Sequence, residues 1–274
     1  MTTGFAGDWH GNGPWAHRAL ALLKTAGATT IYHLGDFGLW PGPGGKQFLR
    51  TVQKTADLNG QTLYIVLGNH EDYSRVPAMR ADDNGWLCLP AYPRLKFAPR
   101  GHTWVDRGTR MAALGGAGSI DLRLRTPGRS WWPEEEIAPA DCATLTANVR
   151  EQAWDRVDVM LTHEAPAGLR RVGMTPKPQW FTPEVEHYVW NQRVLLREAL
   201  DTVRPRWLAH GHWHEWFRDA WDGTDENGRD YTCDVLGLDC DGTPNNLAVA
   251  DLCPGVGLID LRCLGANGFI PLQA

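Results

Sequence analysis

The first third of the chain alternates short apolar runs with longer stretches in which apolar residues recur every three or four positions. The short runs have the length and composition of buried strands. They lie at residues 3–6, 29–34 and 62–67. Between them, helices are predicted at 14–26 and 46–58, with Pro14 opening the first and Gly27 ending it. This strand–helix–strand–helix–strand order predicts parallel neighbouring strands joined by right-handed crossovers.

The rest of the chain is patterned differently. From 86 to 119 the sequence indicates short strands separated by turn glycines, and a loop rich in Arg, Pro and Trp follows. Further strands are predicted at 157–161 and 206–209, and between them Thr182 and Pro183 have the positions of an N-cap and a first helical residue. Asn-Gly and Asp-Gly turn signals in the final part of the chain predict antiparallel strands there.

Five of the predicted strands end in polar residues, and four of these polar clusters have a glycine directly before the first polar residue. The clusters are Gly7-Asp8-Trp9-His10, Gly35-Asp36, Gly68-Asn69-His70, Thr162-His163 and Gly211-His212-Trp213-His214. Glycine lets a chain turn sharply without a steric penalty from Cβ. Ligands of open α/β sheets bind beyond the carboxyl ends of the strands, so we expect the clusters to converge. Convergence from residue 8 to residue 214 predicts a single domain spanning 1–274.

The polar set contains two aspartates, one asparagine and at least four histidines, with no thiolate. Oxygen and imidazole ligands are typical of sites for Mn, Fe, Co or Zn, and they do not match a structural zinc site, whose ligands are all thiolates. Seven or eight ligands are too many for one catalytic ion that must keep open positions, and they are about right for two. The sequence therefore predicts two divalent metal ions per chain, with Mn²⁺ as the first expectation and Fe, Zn, Co or Ni as alternatives.

Composition narrows the range of partners. The chain has 27 Lys+Arg against 32 Asp+Glu, a formal net charge of −5, so it lacks the basic character that favours nucleic-acid or membrane binding. Its six cysteines form no C-x-x-C pair, which is typical of reduced thiols in a cytoplasmic protein. The first residues do not form a secretion signal, and no apolar run reaches the roughly 20 residues of a membrane span. We expect a soluble cytoplasmic protein.

The ordered blocks D-x-H, G-D, G-N-H-E, H and G-H-x-H, between about residues 4 and 216, resemble the signature of the calcineurin-like metallophosphoesterase superfamily. This resemblance implies an α/β fold, a four-layer αββα sandwich of two mixed β-sheets flanked by helices. It also implies a ligand set for each metal and a catalytic histidine, His70, near the leaving group. One metal would be held by Asp8, His10 and His214, the other by Asn69, His163 and His212, with Asp36 bridging the two.

The activity implied by the resemblance is metal-dependent phosphoester hydrolysis, in which a hydroxide shared by two metal ions attacks phosphorus. His70 would stabilise charge on the leaving oxygen. We expect a phosphodiesterase acting on a small nucleotide or cyclic nucleotide, with a phosphomonoesterase, a protein phosphatase or a catalytically silent metal-binding scaffold as alternatives. Serine/threonine protein phosphatases continue the second block as G-D-x-x-x-R-G, with an arginine that grips phosphate. This chain reads GDFGLWPGPGG, which disfavours phosphoprotein substrates.

The sequence leaves the roles of several other residues open, and it does not identify the substrate-binding residues. Glu71 supports a catalytic dyad or forms a surface ion pair, and His210 either supports the ligands or belongs to the core. Trp9 and Trp213 alternate with ligands and should point away from the metals. Histidines outside the motifs are expected to be mostly structural, and they are His17, His33, His102 and His187. Loop residues that could line a substrate pocket or meet phosphate are Trp131, Trp132, Trp180, Arg123, Arg125, Arg129, Arg170 and Arg171.

Overall fold

The computed structural model describes residues 1–169, 172, 182–265 and 268–271. The α-helices of this part are α1 (Gly13–Thr25), α2 (Gly42–Asn59), α3 (Pro139–Glu151) and α4 (Pro183–Val203). Its strands are β1 (Thr2–Ala6), β2 (Thr30–His33), β3 (Thr62–Ile65), β4 (Arg80–Ala81), β5 (Leu87–Cys88), β6 (Leu95–Phe97), β7 (His102–Asp106), β8 (Thr109–Leu114), β9 (Val159–Thr162), β10 (Trp207–His210), β11 (Phe217–Thr224), β12 (Asp230–Gly237), β13 (Leu247–Cys253), β14 (Gly257–Gly265) and β15 (Gly268–Pro271). Arg170, Arg171 and Trp180 lie outside the described residues.

The described strands form two mixed sheets. The first has the order β15-β14-β13-β1-β2-β3-β6-β5-β4, and β1, β2, β3 and β6 run parallel in it. The second has the order β11-β12-β10-β9-β8-β7, with β12, β10, β9 and β8 parallel. The register aligns Ala6 with His33 and His33 with Ile65. The carboxyl ends of β1, β2 and β3 therefore lie side by side at one edge, as the sequence predicts.

Because side chains alternate along each strand, each sheet has two faces. One face packs against the other sheet and the opposite face against helices, which gives four layers. On β9, Leu161 faces the apolar cluster between the two sheets, which also contains Phe5 of β1. The neighbouring Met160 faces the opposite way, into a cluster with Leu196 of α4. Helices α1 and α2 cover the outer face of the first sheet in a third cluster, for example through Leu49. The predicted αββα sandwich is confirmed.

Local sequence signals account for the helix ends. Asn12 caps α1, because its Oδ1 accepts the N–H of Trp15 at 3.1 Å. Helix α2 begins at Gly42, four residues before the predicted start, because the prolines at 41 and 43 are compatible with a helix N-terminus. Thr182 and Pro183 take the N-cap and first helical positions of α4, as predicted. In the described part of the chain, no helix is long and apolar enough to cross a membrane.

Candidate metal centre

Six of the predicted ligands converge in two groups at the shared edge of the sheets. Within each group, one candidate ligand atom from every residue lies within 4.8 Å of the others. The first group, called the Asp8 group below, consists of Asp8, His10 and His214, and the second, called the Asp36 group, consists of Asp36, His163 and His212. These residues follow β1, β2, β9 and β10, so both sheets contribute to the centre.

The carboxylate of Asp36 lies between the Asp8 group and the other two members of its own group. Its Oδ2 lies 3.4 Å from Nε2 of His10, and its Oδ1 lies 3.2 Å from Nε2 of His163. Oδ1 also accepts the backbone N–H of His70 at 2.8 Å. The Asp36 residue is only 2% exposed, so its negative charge is stabilised by these neighbours rather than by water. One oxygen directed at each group is the arrangement that a bridging carboxylate requires.

Asn69 joins the Asp36 group through its side chain. Its Oδ1 lies 3.0 Å from Nε2 of His163, while its Nδ2 donates to the hydroxyl of Ser119 at 3.0 Å. Arg125 reinforces this orientation by donating to the Asn69 carbonyl at 3.1 Å and to the Ser119 hydroxyl at 3.0 Å. Ser119 in turn donates to the buried carboxyl of Glu135. The amide oxygen, which is the atom able to bind a metal, is therefore turned towards the centre.

The donor set fits divalent transition metals. Burial alone would lower the pKa of His163, but the carboxylate of Asp36 outweighs it and raises this pKa to about 9. Burial likewise acts against the charge on His214, yet Asp8 and Cys240 raise its pKa to about 11. Carboxylates and imidazoles this close compete for protons, and a metal ion can replace those protons as the shared positive charge. No thiolate belongs to either group, which matches oxygen-and-nitrogen metal chemistry.

His70 borders the centre without belonging to either of the two groups found among the described residues. Its ring centroid lies 5.8 Å from that of His10. Burial lowers the pKa of His70, and the charge of Asp36 acts in the opposite direction. The backbone N–H of His70 is held by Asp36, and its carbonyl accepts the indole N–H of Trp40 at 2.8 Å. The role of His70 at the leaving group stays a prediction.

Three glycines of the motifs leave space for the ligands. A Cβ on Gly68 would lie 2.2 Å from Oδ1 of Asp36, and a Cβ on Gly211 would lie 2.1 Å from Oδ1 of Asp8. Neither glycine has a positive φ, whereas Gly35 has a φ of 98°. The expectation of a sharp turn therefore holds for Gly35, but Gly68 and Gly211 are required by the close approach of ligand carboxylates.

Four predicted ligands adopt the left-handed backbone region that non-glycine residues rarely occupy. Their φ angles are 44° for His10, 49° for Asp36, 69° for His212 and 50° for His214. Such conformations cost about 1–3 kcal/mol each and persist where surrounding structure determines them. Four of the eight non-glycine residues with positive φ in the described chain are thus predicted ligands, which agrees with a functional site at this edge.

The structure also resolves the roles left open for Glu71 and His210. Glu71 is fully buried, and its carboxylate accepts the backbone N–H groups of Phe37 at 2.6 Å, Gly38 at 3.3 Å and Leu39 at 2.7 Å. A surface ion pair is therefore wrong, and both carboxylate oxygens hold the loop that carries Asp36. His210 is fully buried beside Phe217, with ring centroids 5.3 Å apart, which favours its core role.

The two tryptophans between ligands pack away from the centre, as predicted. Trp9 is fully buried in the cluster under α1 and α2, and its indole N–H donates to Asn246 at 3.1 Å. Trp213 packs on the cluster beside α4, and its indole N–H donates to Glu164 at 2.8 Å. Oε2 of Glu164 lies 3.6 Å from Nε2 of His212. Sequence reasoning missed Glu164, although it directly follows the predicted ligand His163.

The other residues singled out from the sequence lie outside the two groups. His33 packs against Trp9 with ring centroids 4.6 Å apart, and His102 stacks on Trp104 at 5.4 Å. His17 and His187 are exposed on α1 and α4. Arg123 pairs with Glu184 at 3.4 Å, Arg129 is exposed, and Trp131 and Trp132 are half-buried. Arg125 is 7% exposed and is committed to protein partners, so it holds the loop at Asn69 rather than extending towards solvent.

The family model for calcineurin-like phosphoesterases matches residues 1–216, and the chain belongs to this family. Family membership and the two groups of candidate ligands together identify a phosphoester hydrolase with a dinuclear metal site. A comparison with curated proteins finds no significant match.

Solved structures share the fold at low sequence identity. A dimetal phosphatase from Danio rerio is 15% identical, with 98% of this chain and 98% of that chain covered and a TM-score of 0.55. The protein TT1561 of Thermus thermophilus is 10% identical, with 91% of this chain and 93% of that chain covered and a TM-score of 0.54. At these identities the likeness extends to the fold alone.

Proposed function

We propose that this phosphoesterase is a phosphodiesterase that hydrolyses a small nucleotide or cyclic nucleotide, with Mn²⁺ as its metal. The position of Asp36 between the two groups is the observation that supports a bridged pair of ions. The proposed ligands of one ion are Asp8, His10 and His214, those of the other are Asn69, His163 and His212, and Asp36 is shared. When bound, two such ions supply a nucleophilic hydroxide at neutral pH and neutralise phosphate charge.

The residues of the chain prepare the ligands for this role. Nδ1 of His163 lies 2.7 Å from the carbonyl oxygen of Leu34, so it carries the proton and leaves Nε2 free to bind metal. Ser119 and Arg125 orient the Asn69 amide, as described above. His70, at the border of the Asp8 group, is proposed to donate a hydrogen bond to the leaving oxygen.

The position of Trp40 favours the proposal that the substrate contains an aromatic ring. It lies four residues after Asp36, at the position of the arginine in the serine/threonine phosphatase motif. Its side chain is 37% exposed, yet its indole N–H is bound to the His70 carbonyl at 2.8 Å. A Cβ on Gly11 would lie 2.9 Å from the indole ring. An ordered, exposed indole beside the proposed acid can stack on a nucleobase, whereas it lacks the charge of an arginine that grips phosphate.

We further propose that residues 1–274 act as one domain in the cytoplasm. All six cysteines are free, which agrees with a reducing compartment.

The metal content and the preference for diesters are tested together. Protein purified without chelator should contain up to two divalent transition ions per chain, since two groups of ligands are present. With added Mn²⁺ it should hydrolyse bis(4-nitrophenyl) phosphate with a kcat/KM about tenfold or more above that for 4-nitrophenyl phosphate, or ~1.4 kcal/mol of discrimination. A higher kcat/KM for the monoester would reject the diesterase proposal. A fully loaded sample with one ion would reject the bridged pair.

Trp40→Ala should raise KM for nucleotide substrates about 5- to 150-fold, because stacking on one base is worth ~1–3 kcal/mol. Trp40→Phe should retain most of the affinity, since it keeps an aromatic face. KM for an alkyl phosphodiester should change little in either variant. The matched control is Trp190→Ala on α4, another exposed tryptophan at 47% exposure. An equal rise in KM for nucleotide and alkyl substrates would show that Trp40 supports the loop and does not contact the base.

A further inference from the structure

We infer that the segment between β12 and β13, residues 238–246, completes the Asp8 group, and that Asp241 is a positioning residue for His10. This inference rests on the proposed ligand roles of that group. The segment, called the 238–246 loop below, lies beyond residues 1–216 that the family model matches. Its Asp-Gly pair at 241 and 242 indicates only a turn when the sequence is read alone.

Asp241 fixes the orientation and tautomer of His10. Its Oδ1 lies 3.2 Å from Nδ1 of His10, and its Oδ2 accepts a hydrogen bond from Nδ2 of Asn12 at 2.6 Å. An ionised carboxylate only accepts hydrogen bonds, so the Nδ1 that faces it carries the proton. Nε2 of His10 is then left bare, and this is the atom that faces Asp36 at 3.4 Å. A metal-binding histidine usually donates its second ring N–H to a carboxylate, a backbone carbonyl or water, and here Asp241 supplies the carboxylate.

The same loop contacts a second member of the Asp8 group. The backbone N–H of Asp241 donates to the carbonyl of Asp8 at 2.7 Å. Asp241 therefore contacts two of the three residues of this group, Asp8 through its backbone and His10 through its side chain.

The loop is anchored by hydrogen bonds to the protein around it. Asn246 is fully buried, and its Oδ1 accepts the indole N–H groups of Trp9 at 3.1 Å and Trp15 at 2.7 Å. Its Nδ2 donates to the carbonyl of Asp239 at 2.7 Å, and its own carbonyl accepts the N–H of Gly7 at 2.9 Å. A Cβ on Gly7 would lie 2.3 Å from the Asp239 carbonyl oxygen, so the loop lies directly on the end of β1. These contacts hold the loop against the end of β1 and so place Asp241 beside His10.

The Asp36 group is held by different parts of the chain. His163 is bonded to the carbonyl of Leu34, and His212 lies 3.6 Å from Glu164. Among the described hydrogen bonds and ion pairs of Asp36, His163 and His212, none involves the 238–246 loop. Loss of the Asp241 carboxylate should therefore weaken one ion and spare the other.

Asp241→Asn tests this in the full-length protein. Titration of the metal-free variant with Mn²⁺ by calorimetry should show one of the two binding steps weakened about 10- to 100-fold, the effect of losing a residue that orients a metal ligand. The other step should match the wild type. At saturating Mn²⁺, kcat should return to within a few fold of the wild-type value, because the weakened site is then filled. The matched control is Asp222→Asn on β11, an exposed carboxylate bonded to Thr232 at 2.8 Å, which should leave both steps unchanged.

Two results would overturn the inference: unchanged Mn²⁺ binding in Asp241→Asn, or equal weakening of both steps. Thermal unfolding of metal-free Asp241→Asn shows whether this variant folds. If it does not fold, Asp241→Glu is titrated in its place, and because it keeps the carboxylate it should show both binding steps. Failure of the proposed ligand assignment has a separate signature, because the wild type itself would then bind fewer than two ions. Two ions in the wild type and two unaltered steps in Asp241→Asn would reject the role of Asp241 alone.

Discussion

Replacing Asp36 with alanine is expected to abolish turnover and to weaken both metal ions together. Its two carboxylate oxygens face different groups, at 3.4 Å from His10 and 3.2 Å from His163. The substitution therefore removes a shared negative charge from a buried site that is rich in imidazole. We expect kcat/KM to fall by at least about 10³-fold, the scale at which loss of preorganised charge reduces catalysis. Asp36→Asn should behave similarly, because a neutral amide cannot bridge two cations.

The measurements are steady-state kinetics with added Mn²⁺ and elemental analysis of the dialysed protein. The matched control is His17→Ala, since this histidine is exposed on α1 and lies 3.1 Å from the hydroxyl of Thr55, away from the centre. It should keep activity within a few fold and its full metal content. Comparable losses in the two variants, or loss of a single ion from the Asp36 variant, would show that Asp36 does not bridge.

His70→Ala is expected to lower kcat by about 10²- to 10⁴-fold while both metal ions stay bound. His70 belongs to neither of the two ligand groups, so no coordination bond is removed. The loss should shrink as the leaving group becomes more acidic, because a good leaving group needs little stabilisation by a proton donor. Diesters with a series of phenols and alcohols measure this dependence, and elemental analysis measures the metals.

The control for His70 is His187→Ala, an exposed histidine on α4 that should have little effect with any leaving group. If His70→Ala loses metal, or if the loss is the same for a nitrophenol and a weakly acidic alcohol, then His70 orients a ligand and is not the acid.

Much of the centre could be predicted because its information is local. Each apolar run that ends in a glycine and a polar residue marks a strand end, and parallel neighbours place those ends at one edge. Asp8, Asp36 and Asn69 follow β1, β2 and β3 in this way. The order of the strands in the two sheets carries no comparable local signal. Strand β12, for example, pairs with β11 in a hairpin and also runs parallel to β10.

The residues that support the ligands could not be identified in the same way. Asp241 is 231 positions from His10, and nothing in an Asp-Gly turn indicates which side chain it will meet. Glu71 follows the GNH motif directly, but its burial and its three backbone donors exist only in the folded chain. The need for glycine at 68 and 211 likewise depends on carboxylates brought close by folding.

The position of β1 between β2 and β13 has a consequence for how the protein matures in the cell. A nascent chain emerges from the ribosome at about 5–20 residues per second, and β1 can pair with β2 long before β13 has been made. The hydrogen bonds that join Trp9, Trp15 and Gly7 to Asn246 span more than 230 positions and form only after residue 246 has been synthesised. The contacts that anchor the 238–246 loop beside the Asp8 group therefore form only after every block of the family motif has been made. A truncated product ending at residue 216 would keep every block of the family motif and still lack β13, one of the two strands that pair with β1.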